Sequence, residues 1–132
     1  VTRVLVVDDD AMIGDALRRV LEAEGYAVTT ATSVSGAMAA MADRPAHIVI
    51  TDVIMPRQNG ADLIDRLKSA YPSVRIVAIS GGGGTAAQNF KPQAITTHAF
   101  LAAATAAGAD VALRKPFSLE ELRSAVRRLA DA

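Results

Sequence analysis

The 132-residue chain predicts an α/β fold in which a five-stranded parallel sheet is wound on both faces by five helices. Three observations predict it. Short apolar runs alternate with helix-periodic stretches along the chain. Four of those runs end on a polar residue: Val4–Val7 leads into Asp8-Asp9-Asp10, Ile48–Thr51 into Asp52, Val74–Ile79 into Ser80, and Val111–Arg114 into Lys115-Pro116-Phe117. Hydrophobic residues make up 51% of the sequence, enough for a packed interior. Alternating strands and helices place helices on both faces of a parallel sheet through right-handed crossovers.

Arg3–Asp8 reads as the first buried strand. Ala11–Glu24 follows as a helix, with Ile13, Ala16, Leu17, Val20 and Leu21 forming its apolar stripe and Gly25 at its carboxyl cap. Tyr26–Ala31 is a shorter strand. Ser33 caps a second helix that reaches about Ala42 and ends before Pro45. His47–Asp52 is the third strand, and Ala61–Ala70 the third helix, introduced by Pro56 and Gly60. Val74–Ser80 is the fourth strand. Gly81–Gly84 then opens a long connection containing Pro92, and a helix resumes over Ile95–Ala107 before Gly108. Val111–Arg114 is the fifth strand. Ser118-Leu119-Glu120-Glu121 is a capping box for the last helix, which puts Leu119, Leu122, Val126 and Leu129 on one face. Met12, Met38, Met41 and Met55 are expected in the core.

Composition narrows the function. The length suits one domain, residues 1–132, and no internal repeat is present. Formal net charge is +0 and there is no basic tract, which argues against nucleic-acid binding by this domain. With no cysteine there is no disulfide or thiolate site, and two distant histidines, His47 and His98, do not make a zinc site. No apolar stretch approaches the ~20 residues that cross a bilayer, and no basic-then-apolar leader is visible in the opening residues. The expected setting is cytoplasmic, away from membranes.

In a doubly wound sheet, ligands bind outside the carboxyl ends of the strands. There the chain gathers three carboxylates, a hydroxyl and an ammonium: Asp8, Asp9, Asp52, Ser80 and Lys115. Three neighbouring carboxylates repel one another, and a hard cation relieves that repulsion. Magnesium takes oxygen ligands of this kind. A carboxylate can also act as a nucleophile toward phosphorus, with Lys115 and Ser80 available to the phosphoryl oxygens. The Gly81–Gly84 run lacks the Lys-Ser or Lys-Thr and the spacing of a Walker phosphate loop.

Taken in order, Val6-Val7-Asp8-Asp9-Asp10, Asp52 with Met55-Pro56 and Gly60, Ser80, Gly108-Ala109-Asp110 and Lys115-Pro116-Phe117 give a sequence that resembles the receiver domain of two-component response regulators. The resemblance covers essentially the whole chain. It implies a flavodoxin-like strand order 2-1-3-4-5 and a phosphoryl group accepted on Asp52, with a histidine kinase or histidine phosphotransfer protein as donor. It implies Mg2+ held by Asp8, Asp9, Asp52 and the backbone carbonyl of Ile54. Asp9 would be the direct acidic ligand, and Asp8 would act largely through water. Ser80 resembles the switch hydroxyl and Lys115 the phosphate-binding lysine, with a cis peptide before Pro116. Such a domain is a signalling element rather than an enzyme, either stand-alone or part of a longer regulator, and its downstream partner is a protein.

Two features depart from the family. Position 112, three before Lys115, is alanine where many receivers carry an inward-turning aromatic ring. The stretch from Ser80 to Lys115 is also longer than in the family, which makes Gly81–Pro92 an expected output element that orders when Ser80 moves toward Asp52. Two other readings compete. A magnesium-dependent aspartyl-phosphate phosphatase would want an acid two places after the nucleophile, where this chain has Ile54. A degenerate receiver would serve as a static protein-interaction module.

Overall fold

A computed structural model describes residues 1–55, 58–80 and 102–131, with side chains omitted at 58–60. The main sheet consists of β1 (Arg3–Val7), β2 (Ala27–Ala31), β3 (Ile48–Asp52), β4 (Arg75–Ser80) and β5 (Val111–Arg114). The helices are α1 (Ala11–Ala23), α2 (Val34–Asp43), α3 (Gly60–Ala70), α4 (residues 102–107) and α5 (Leu119–Ala130). All four strand pairings are parallel, in the order β2-β1-β3-β4-β5. This is the doubly wound, five-helix architecture the sequence predicts. Its expected long β4–α4 connection, including Gly81–Pro92 and the first residues of the Ile95–Ala107 helix, lies outside the described residues.

The central strands β1, β3 and β4 are apolar on both faces because helices cover both, while the edge strands β2 and β5 are only partly buried. On one face Leu5, Val7, Val49, Ile76 and Ala78 pack with Ala37, Met41, Leu63, Ile64, Leu67 and Ala104 of α2, α3 and α4. On the other, Val4, Val6, Ile50, Val77 and Ile79 meet Leu17 and Leu21 of α1 and Leu122, Val126 and Leu129 of α5. The alternation along each strand assigns successive side chains to the two cores. β3 is buried at all five positions, so its carboxyl end lies at the centre of the sheet edge.

The chain termini of the helices follow the sequence closely. Ser33 accepts from the Gly36 amide at 3.0 Å. Ser118 and Glu121 form the complete capping box, at 3.0 and 3.2 Å. Gly25, at φ +97°, closes α1 with the Gly25 N–H donating to the Glu22 carbonyl and Tyr26 N–H to Leu21, a Schellman closure that needs a left-handed residue.

Several expectations require correction. The buried stripe of α1 is Gly14, Leu17 and Leu21, while Ile13 and Met12 are exposed, Met12 at 82%. The helix is therefore rotated so that Gly14 faces Thr30 of β2, where even an added Cβ would sit at an ordinary contact distance of 3.9 Å. Leu119 is 48% exposed, because it occupies the first position of α5, ahead of the turn that reaches the sheet. A two-residue antiparallel ladder, Ile54–Met55 with Gln58–Asn59, follows β3 and was not expected from the sequence.

Candidate phosphoacceptor site

β1 and β3 are neighbours, so their carboxyl ends deliver Asp8, Asp9 and Asp52 to the same place. Carboxylate oxygens of the three lie within 4.8 Å of one another. Asp8 and Asp52 are buried and Asp9 is exposed. The donor set consists only of hard carboxylate oxygens, which fits a divalent cation such as Mg2+ and not a thiolate- or imidazole-seeking metal.

β5 approaches from the other side. Its register with β4 pairs Ser80 with Arg114, and the Lys115 N–H donates to the Ser80 carbonyl at 2.7 Å. Lys115 thus leaves the strand pointing its ammonium to within 3.6 Å of Asp52 Oδ2. The Lys115–Pro116 peptide is cis, as the resemblance implies. Ser80 ends β4, between Asp52 and Lys115 in the sheet, and is completely buried. Its hydroxyl has no hydrogen-bond partner among the described residues, which is unusual for a buried polar group.

Local hydrogen bonds fix the carboxylates. Asp52 Oδ1 accepts from the Ile54 N–H at 3.0 Å, and Asp8 Oδ1 from the Asp10 N–H at 2.8 Å. Asp10 caps α1 by accepting from the Met12 N–H at 2.9 Å, so this third acid of the run serves the helix. Burial dominates the protonation of the pair. It pushes the Asp52 carboxyl up to about 6, against the lowering effects of Lys115 and the Ile54 N–H. Burial likewise raises Asp8, opposed by the Asp10 N–H and Lys115. The metal-free site therefore holds carboxylates at an energetic cost that an added cation would offset.

The described structure brings Asp8, Asp9, Asp52, Ser80 and Lys115 to one edge. Ile54 enters through its N–H. Sequence reasoning missed Thr51, a completely buried residue whose hydroxyl donates to the Asp52 carbonyl at 3.0 Å. The signal for it was a hydroxyl residue in the otherwise apolar run Ile48–Ile50, next to the carboxylate. Away from the site, on α5, Arg123 Nε is also buried without a hydrogen-bond partner among the described residues.

Comparison with known proteins agrees with this geometry. The family model described as "Response regulator receiver domain" matches residues 4–127. The chain is 38% identical over 129 residues to the DNA-binding transcriptional regulator NtrC of Azospirillum brasilense, covering 98% of this chain and 24% of that protein. It is 35% identical to the transcriptional regulatory protein KdpE of Mycobacterium tuberculosis (strain ATCC 25618 / H37Rv), covering 96% of this chain and 52% of that protein. Among solved structures, the receiver domain of NtrX from Brucella abortus superposes with a TM-score of 0.82 at 29% identity, covering 98% of both chains. The chain belongs to the response regulator receiver domain family. It spans about half or less of the length of these curated relatives. Phosphorylation and Mg2+ binding at an acidic pocket are general to this family, and histidine kinases phosphorylate response regulators. No helix among the described residues is long and apolar enough to cross a membrane.

Proposed function

We propose that residues 1–132 form one receiver domain that accepts a phosphoryl group on Asp52 and signals by conformational change in the β4–α4 region. The observation that carries this reading is the buried Asp52 carboxylate, 3.6 Å from the Lys115 ammonium and clustered with Asp8 and Asp9. A carboxylate oxygen of Asp52 forms the new O–P bond. The P–N bond of a phosphohistidine on a histidine kinase or histidine phosphotransfer protein breaks, and the departing imidazole nitrogen keeps the electron pair and takes a proton from solvent.

Asp8, Asp9, Asp52 and the Ile54 carbonyl would hold Mg2+. When bound, the ion supplies positive charge for the phosphoryl oxygens and relieves repulsion among the carboxylates. The Ile54 N–H keeps one Asp52 oxygen in place, which orients the nucleophile. Lys115 balances charge on the incoming group, and the Ser80 hydroxyl, free of other partners among the described residues, is available to a phosphoryl oxygen. The domain is a cytoplasmic signalling element that works on itself rather than an enzyme with a diffusing substrate. It passes its state to a protein partner and contacts neither nucleic acid nor membrane.

The test is the intact mass after incubation with acetyl phosphate and Mg2+. Wild type gains one phosphoryl group, as the P–O bond to acetate breaks, and Asp52→Asn gains none. No gain in wild type overturns the reading in favour of a static interaction module. The phosphatase reading is weaker because the position two after Asp52 contributes a backbone N–H and no side-chain acid.

A further inference from the structure

Thr51 raises a question that the acceptor chemistry alone does not answer. It is fully buried in β3, where Ile48, Val49 and Ile50 supply only hydrocarbon. Valine has nearly the same shape and would avoid placing a hydroxyl away from water, which costs free energy unless the group is bonded. The bond that satisfies it runs to the carbonyl of Asp52, 3.0 Å away. The β1–β3 ladder pairs Val7 with Thr51 and goes no further, so Asp52 lies one residue past the reach of β1. On the β4 side the next residue is held by the Val53 N–H donating to the Ile79 carbonyl at 2.8 Å.

From this arrangement, and resting on the proposed acceptor role of Asp52, we propose that Thr51 is a positioning residue for phosphoryl transfer. Its hydroxyl fixes the plane of the Asp52–Val53 peptide on the β1 side, where the β1–β3 ladder has ended while β4 still pairs Ile79 with Asp52. That peptide leads directly to Ile54, whose N–H holds Asp52 Oδ1. Three hydrogen bonds then constrain consecutive groups: the Asp52 carbonyl by Thr51, the Val53 N–H by Ile79, and the Asp52 carboxylate by Ile54. Losing the first lets the peptide tilt and spreads the carboxylate over more orientations, most of them unproductive. Thr51 touches no reacting atom and acts through Asp52.

The experiment compares wild type, Thr51→Val and Thr51→Ser in two measurements. The first is the rate of phosphoryl gain from acetyl phosphate at saturating Mg2+. The second is amide hydrogen exchange at Ile54, with Val49 as the reference inside the strand. Thr51→Val is expected to slow phosphorylation by about five- to tenfold, the size of one hydrogen bond, and to speed exchange at Ile54 by a similar factor while leaving Val49 unchanged. Thr51→Ser, which keeps the hydroxyl, is expected to recover most of both. A Thr51→Val protein matching wild type within about twofold in both measurements overturns the inference. So does an equal loss in Thr51→Ser, since that points to packing of the methyl group. If wild type itself takes no phosphoryl group, the acceptor reading fails, and the exchange data still decide whether Thr51 orders the Asp52–Ile54 turn.

Discussion

The two edges of the one sheet treat their polar groups in opposite ways. At the amino-terminal edge charges are matched. Asp110 Oδ2 accepts from the Ile76 N–H at 2.8 Å and from Lys68 Nζ at 3.2 Å, and Lys68 also donates to the Val74 carbonyl at 2.6 Å. The Arg3 N–H finds His47 Nδ1 at 2.9 Å. Even the Lys68 stem is used: it lies under Gly108, at φ +124°, where an added Cβ would come within 2.9 Å of its Cγ. A cavity of about 560 Å³ opens at this edge, lined by groups such as Pro45, Tyr71, Pro72 and Leu129, but it gathers no cluster of acids. At the carboxyl-terminal edge three carboxylates cluster, Asp52 alone of them ion-paired with the Lys115 ammonium among the described residues, and Ser80 is buried with no partner among the described residues. One edge is finished by folding. The other keeps a set of groups that the proposed function would complete with a cation and a phosphoryl group.

If that contrast is correct, the same kind of change should have opposite effects at the two edges. The largest expected effect is at the matched edge. Asp110→Ala leaves the N–H of the buried Ile76 without its acceptor and Lys68 without its counter-charge, and is expected to cost about 2–3 kcal/mol of stability in urea unfolding. A smaller effect of reversed sign is expected at the other edge. Without metal, Asp52→Asn is expected to stabilise the protein by about 1–2 kcal/mol at pH 7, because it removes a buried carboxylate that is costly to ionise. The sign follows from proton binding. Between the ordinary value of 3.8 and about 6, the folded state holds more protons at Asp52 than the unfolded state. Wild-type stability therefore falls as pH rises through that window, and remains lowered above it. Urea midpoints of metal-free wild type and Asp52→Asn across pH 4–7 check this. The variant's advantage should grow with pH and shrink when Mg2+ is added to wild type.

The contrast also explains what the sequence could reveal. Buried parallel strands are continuous apolar runs bounded by polar residues, so Val4–Val7, Ile48–Thr51 and Val74–Ile79 were visible from the sequence alone. Because function in this fold collects at strand ends, Asp8, Asp9, Asp52, Ser80 and Lys115 were visible with them. The matched edge was not. Lys68 and Asp110 stand 42 positions apart and meet only through the packing of α3 against the start of β4 and β5. Met12 was expected inside as an apolar methionine, but the buried face of α1 runs through Gly14, Leu17 and Leu21 and leaves position 12 on the solvent side. The Ile54–Met55 ladder is two residues long, too short to leave a pattern. Thr51 looked like one more β-branched strand residue, since its hydroxyl matters only once the Asp52 carbonyl is known to be beside it.

The central proposal is that Asp52, and neither Asp8 nor Asp9, is the acceptor among the three clustered carboxylates. Peptide mass mapping of wild-type protein treated with acetyl phosphate and Mg2+ tests it most directly. The account predicts the phosphoryl group on the peptide carrying Asp52 and on no other. A phosphoryl group on the peptide carrying Asp8 and Asp9, or an unmodified Asp52 peptide in protein that has gained the mass, would contradict it.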